Sequence, residues 1–151
     1  MAAEAGKNVA FVATCRPKDY EMKKRIALHK KNRPLHWKTF EEPLVPVLLL
    51  KKIGSKFDVV IIDCLTLMVS NLMLKGHRGG VIENKISKLL CALKKIRAEC
   101  IIVSNEVGLG IVPENKLARD FRDIAGNVNQ IVAKEAKEVF FMVSGIPWRV
   151  K

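Results

Sequence analysis

Four short apolar runs set the limits on what this chain can fold into: Asn8–Thr14, Phe57–Asp63, Cys100–Ser104 and Val139–Ser144. Each is rich in β-branched residues and nearly continuous rather than alternating. A strand with one wetted face alternates polar and apolar residues, so these runs read as strands buried on both sides, the habit of a parallel sheet. Helical patterns fall between them. Ile82, Ile86, Leu89, Leu90 and Leu93 share one helical face, with Lys85, Lys88 and Lys94 mostly outside it. Further helices are predicted over Asp19–Lys31, Pro43–Lys52, Thr66–Leu74 and Glu114–Lys137, the last interrupted near Gly126. Lys75–Gly80 reads as a flexible loop, and Trp148–Lys151 as a short edge strand. Strand and helix therefore alternate. The predicted fold class is α/β, a mostly parallel sheet with helices on both faces.

At 151 residues the chain is expected to form a single domain, 1–151. Hydrophobic residues at 49% and charged residues at 28% exclude a disordered chain. Lys and Arg outnumber Asp and Glu by 27 to 15, a net charge of +12. That surplus favours nucleotides, nucleic acid or an anionic surface, without choosing among them. Between Arg16 and Lys38, nine cations face only Asp19 and Glu21, which fits either a solvated helix face or an anion site. No helix-turn-helix, RNP or zinc pattern supports nucleic acid. Cys15, Cys64, Cys91 and Cys100 are widely spaced in apolar surroundings, as in reduced core thiols. The N-terminus lacks a signal-peptide apolar core, and no apolar run approaches the roughly 20 residues of a membrane span. A cytoplasmic protein is expected.

In open parallel sheets, ligands sit beyond the carboxyl ends of the strands. The segments Thr14-Cys15-Arg16, Asp63 to Thr66, Ser104-Asn105-Glu106 and Ser144-Gly145 follow the four runs and are all polar. Val60-Ile61-Ile62-Asp63 has the layout of a Walker B strand, whose carboxylate reaches a magnesium ion carrying phosphates. An Asp that caps the next helix would look the same. His29 lies at a predicted helix end beside Lys30, Lys31 and Arg33. An imidazole so placed can attack phosphorus while the cations stabilise phosphate charge. It can equally pack on the sheet, since Met22, Ile26 and His29 share a face. His36 and His77 read as structural or exposed. Gly108-Leu-Gly110 lacks the third glycine of a dinucleotide fingerprint and reads as a turn. A Walker A loop is not seen; Gly6-Lys7-Asn8 lacks its earlier glycine and its hydroxyl residue. Met1–Glu4 resemble the tail of a helix leading into the first run.

The stretch Ser104-Asn-Glu-Val-Gly-Leu-Gly-Ile-Val-Pro-Glu-Asn-Lys-Leu-Ala-Arg-Asp-Phe-Arg-Asp-Ile-Ala-Gly-Asn-Val-Asn-Gln130 resembles a signature of the adenosylcobinamide kinase / adenosylcobinamide-phosphate guanylyltransferase family nearly end to end. Phe11–Thr14, Arg25–Trp37, Asp63–Asn71 and Val143–Gly145 add to the resemblance. It implies a P-loop-NTPase-like fold whose first strand and phosphate loop are missing here, an expectation that carries impaired activity with it. It implies phosphorylation of adenosylcobinamide, then GMP transfer from GTP to adenosylcobinamide phosphate through a GMP-histidine intermediate on His29. The implied ligands are GTP, ATP and Mg2+. Nucleotide contacts are implied for Thr14, Cys15, Arg16, Lys30, Lys31, Asn32, Arg33, Glu41 and Asp63, with Asp63 also a metal ligand. Asn105, Glu106 and Arg119 stand second, where capping or loop bracing is an equal alternative. A homotrimer is implied as the assembly.

Overall fold

The computed structural model describes residues 8–17 and 19–151. The helix tail expected at Met1–Glu4 lies outside them. In chain order the elements are β1 (Val9–Ala13), α1 (Tyr20–Lys31), β2 (Lys38–Glu41), α2 (Val47–Ile53) and β3 (Val59–Asp63). There follow α3 (Leu65–Leu74), α4 (Gly79–Leu93), β4 (Glu99–Val103), a 3-10 turn (Val107–Leu109), α5 (Lys116–Glu135), β5 (Phe140–Val143) and β6 (Ile146–Arg149).

Four strands form one parallel sheet in the order β2-β1-β3-β4. The α/β class is as the alternation predicted. Even-numbered Ala10, Val12, Val60 and Ile62 join a core with Leu50, Met68, Ile86 and Leu89 from the helices. Odd-numbered Val9, Phe11, Val59 and Ile61 form a second cluster with Ala13, Trp37 and Ile101. The period-2 switch of side chains explains why β1 and β3 are apolar at every position. Each fully buried aliphatic chain contributes about 1.5–3 kcal/mol. The step from β1 to β2 runs in one direction across the sheet, whereas β2 to β3 and β3 to β4 run in the other. Right-handed crossovers then put α1 on the side opposite α2, α3 and α4. Consistent with this, Arg33, just past α1, lies over the Phe11 ring at 3.5 Å.

The α4 stripe is as its spacing indicated: Ile82, Ile86, Leu89, Leu90 and Leu93 are all buried. Several local expectations need correction. Val139–Ser144 does not join the parallel sheet; β5 pairs antiparallel with β6 in a separate ribbon. Ser144 and Gly145, at φ 51° and 82°, are therefore a two-residue hairpin turn rather than a strand exit lining the site. The edge strand expected at Trp148–Lys151 begins earlier, at Ile146. The helix expected from Pro43 starts at Val47, after Pro46. Gly79 and Gly80 open α4 instead of belonging to a loop. Gly126 does not interrupt α5, because Ile124, Ala125 and Val128 bury the same stretch. Cys91 is exposed rather than a core thiol. No helix among the described residues is long and apolar enough to cross a membrane.

Candidate functional site

Strand register lines up the carboxyl ends. Ala13 is level with Glu41 on one side and Asp63 on the other, and Asp63 is level with Val103. The residues just beyond this row converge along one edge of the sheet.

Thr14 is fully buried, and its Oγ1 closes two bonds with the next exit. It donates to the Cys64 carbonyl and accepts from the Cys64 amide, both at 2.7 Å. Asn71 of α3 donates one amide to the Thr14 carbonyl at 2.9 Å and to the Pro43 carbonyl at 2.8 Å. The Thr14 hydroxyl is thus spent inside the protein. What this residue offers a ligand comes through the loop it fixes. Cys64 caps α3, its Sγ accepting from the Leu67 amide at 3.4 Å. Burial pushes its thiol pKa up. The cap is therefore Cys64 and not Asp63, which removes helix capping as the reason for that carboxylate.

Asp63 is half-buried at the end of β3. Burial raises its pKa, and the charges of His29 and Arg33 pull it back down. For Arg33 burial lowers the pKa and Asp63 opposes the change. His29, Arg33 and Asp63 are therefore electrostatic neighbours, brought together by α1 and the turn after it. Asp19 starts that helix by accepting from the Met22 amide at 2.7 Å. None of its residues is buried, and His29 itself is exposed. That excludes the reading in which the imidazole packs against the sheet. Arg33 also donates to Thr39 Oγ1 at 2.7 Å. Trp37 stacks near Phe11, ring centroids 6.3 Å apart, and its buried indole N–H has no partner among the described residues.

Lys30 pairs with Glu41 at 2.6 Å, both side chains substantially exposed. Arg16, Lys31 and Asn32 are exposed, and Cys15 is half-buried in the segment after β1. The structure places these four near the edge by sequence position alone. His36 is exposed and His77 half-buried.

The second-rank residues separate cleanly. Arg119 donates to the carbonyls of Pro113 and Glu114. Glu106 accepts from the Gly108 amide at 3.1 Å and caps the 3-10 turn. Both brace the loop. Among the described residues Asn105 is held by its backbone alone, whose amide donates to Thr66 Oγ1 at 2.8 Å. Sequence reading did not single out Asn71 or Asn129. The signal for Asn71 was present: an amide inside the apolar helix Leu65–Leu74 has no place in a core unless it is hydrogen-bonded.

Chemically, the edge offers an exposed imidazole, a half-buried carboxylate and a planar cation. Among the described residues no cluster of three His, Cys, Asp or Glu side chains forms a protein-only metal cage. Asp63 alone fits magnesium, which takes one or two carboxylates and completes its shell with water and phosphate oxygens.

The chain is similar in sequence to known proteins along its whole length. The family model for cobinamide kinase / cobinamide phosphate guanyltransferase matches residues 1–150. The bifunctional adenosylcobalamin biosynthesis protein CobP of Pseudomonas aeruginosa is 38% identical over 151 residues, covering 100% of this chain and 87% of that protein. The CobU proteins of Salmonella typhimurium and Escherichia coli are 41% and 40% identical, each covering 95% of this chain and 86% of its own length. With a parallel sheet, a charged strand edge and a match of this extent in agreement, the chain belongs to the cobinamide kinase / cobinamide phosphate guanyltransferase family.

Proposed function

We propose that this chain works in cobalamin biosynthesis as a nucleotide-dependent transferase with two reactions. In the first, a nucleoside triphosphate, ATP or GTP, phosphorylates the hydroxyl of adenosylcobinamide. In the second, GMP passes from GTP to the resulting adenosylcobinamide phosphate, giving adenosylcobinamide-GDP. The observation that carries the reading is the convergence of exposed His29, Arg33 and half-buried Asp63 on one strand edge.

In the transfer reaction an unprotonated nitrogen of His29 attacks the α-phosphorus of GTP. A P–N bond forms, the bond to the bridging oxygen breaks, and pyrophosphate leaves with that electron pair. Arg33 and Lys30 stabilise the phosphate charge, with Lys31 and Arg16 as further cations along the same edge. An oxygen of adenosylcobinamide phosphate then attacks the same phosphorus, and the imidazole departs with the electrons of the P–N bond. Splitting the transfer this way replaces one difficult meeting of two anions with two easier displacements. Asp63 would hold magnesium, which supplies charge neutralisation on the phosphates. Thr14, Cys15, Asn32 and Glu41 complete the proposed nucleotide surface, with residues 1–151 acting as one domain. A homotrimer is the proposed assembly.

Incubation with α-labelled GTP tests this. The expected result is protein-bound label that is acid-labile and base-stable, as a phosphoramidate is, and that is absent from His29→Ala. Label that persists in His29→Ala would overturn the assignment of the nucleophile. GTP binding without any label would favour a non-catalytic nucleotide-binding role.

A further inference from the structure

The exit of β4 is held by a set of hydrogen bonds whose direction can be worked out. Ser104 Oγ donates to Asn129 Oδ1 at 2.7 Å. Its single proton is then used, so the 3.2 Å contact between Ser104 Oγ and Thr66 Oγ1 must carry the proton of Thr66. The lone pairs of Thr66 remain available, and one accepts the Asn105 amide at 2.8 Å. From α5, Asn129 Nδ2 donates to the Asn105 carbonyl at 3.2 Å and to Glu106 Oε2 at 3.3 Å. Glu106 Oε1 takes the Gly108 amide, and Arg122 reaches the Gly108 carbonyl at 2.8 Å.

Every polar side chain in this cluster but one therefore has a hydrogen-bond partner within it. The exception is Asn105. Both of its backbone groups are fixed, its residue is exposed, and its side-chain amide has no partner among the described residues. Surface loops are ordinarily mobile, and fixing a residue's backbone costs conformational entropy. Here that cost is met by side chains from two helices, and the amide it immobilises makes no hydrogen bond among the described residues. Register places it one residue beyond the pair Cys64 and Ser104, the positions that follow Asp63 and Val103 on adjacent strands.

We propose that Asn105 is a ligand contact, its amide donating to a phosphate oxygen of the bound nucleoside triphosphate, and that Thr66, Ser104 and Asn129 are positioning residues that aim it. The assignment rests on the nucleotide-transfer reading above. A neutral amide suits this place: it supplies a donor at the exit of the strand next to that of Asp63, without competing for the metal that the carboxylate would hold.

The test is calorimetric titration of the full chain with GTP and magnesium, together with nitrogen-15 spectra of the Asn105 side-chain amide. Asn105→Ala should weaken GTP binding roughly ten- to hundred-fold, the worth of a hydrogen bond to a charged group. Its melting temperature should stay close to that of the parent, because the side chain is exposed and no hydrogen bond among the described residues is lost. Asn105→Asp should bind more weakly still. Ser104→Ala should also weaken binding, and Ser104→Thr, which keeps the hydroxyl, should recover most of it. The amide resonance should shift on GTP addition. Unchanged affinity in Asn105→Ala with an unmoved amide resonance would overturn this assignment alone. A parent chain that takes no GTP would overturn the functional reading and this assignment with it.

Discussion

The hydroxyl of Thr14 and the backbone of Cys64 tie the ends of β1 and β3 together, donating and accepting at 2.7 Å within a fully buried contact. A second strap, from Asn71 to the Thr14 carbonyl, holds the same turn from below. Removing the hydroxyl while keeping the shape, as in Thr14→Val, strands one buried donor, the Cys64 amide, whereas the Cys64 carbonyl keeps the Met68 amide at 3.2 Å. The expected loss is about 1–3 kcal/mol of unfolding free energy, the cost of one unsatisfied buried group. Urea denaturation at neutral pH measures it. Thr14→Ser, which retains the oxygen, should lose markedly less.

Gly54 is required for space and not for conformation. It closes α2 with an ordinary helical φ of −61°, its amide donating to the Leu50 carbonyl at 2.8 Å. A Cβ there would sit 2.3 Å from Ile96 Cγ2 and 2.6 Å from Ile96 Cβ. Neither atom can swing away freely, since a β-branched side chain has few rotamers. Gly54→Ala should destabilise by about 1–3 kcal/mol through overpacking, despite the better helix propensity of alanine. Pairing it with Ile96→Ala should recover part of the loss, a coupling that denaturation of the double variant would reveal.

These two contacts show where sequence reading stops. β1, β3 and α4 were legible because their apolar spacing is a local property, carried by Val9–Val12, Val59–Ile62 and the stripe from Ile82 to Leu93. The strand β2 was not, because Lys38-Thr39-Phe40-Glu41 is short and polar, and only its pairing with Ala10–Ala13 makes it a strand. The β5 run reads as another sheet member, since nothing local distinguishes a ribbon from a parallel strand; that difference lies in the partner. At the site, His29, Arg33 and Asp63 could be named from motif and strand-exit position. The Thr14 to Cys64 lock spans fifty residues and the Ser104 to Asn129 bond twenty-five, and no spacing rule reports either.

Arg33 is the cation whose geometry a lysine cannot copy. Its guanidinium lies 3.5 Å above the Phe11 ring while NH1 bonds Thr39 at 2.7 Å. A planar fork can stack and donate sideways at once, whereas an ammonium does one or the other. Arg33→Lys should therefore cost about 1–2 kcal/mol of stability even though the charge beside Asp63 is kept. A double-mutant cycle with Phe11→Leu should report a coupling of roughly 0.5–1 kcal/mol. Additive effects in that cycle would mean that the stacking contributes nothing.

Asp63 should make the protein less stable as pH rises, the reverse of the usual behaviour of a paired carboxylate. Burial raises its folded pKa above the ordinary value of 3.8, and the attraction of His29 and Arg33 does not fully cancel that rise. Between the ordinary value and the raised one, the folded chain holds more of this proton than the unfolded chain does. Its contribution to stability therefore falls through that window as pH increases, and the penalty persists unchanged above it. Below the ordinary value both states are protonated and the penalty vanishes. Asp63→Asn removes the titration, so it should be more stable than the parent at pH 7 and equal to it or weaker in strong acid. Urea denaturation at a series of pH values from acid to neutral checks the sign; a variant less stable at pH 7 would refute it. A carboxylate kept at such a cost on a strand exit needs a use, and the magnesium and nucleotide binding proposed above would supply one. The same Asp63→Asn protein should therefore gain stability and lose most of its magnesium-dependent GTP affinity, two opposite changes that a purely structural residue would not produce together.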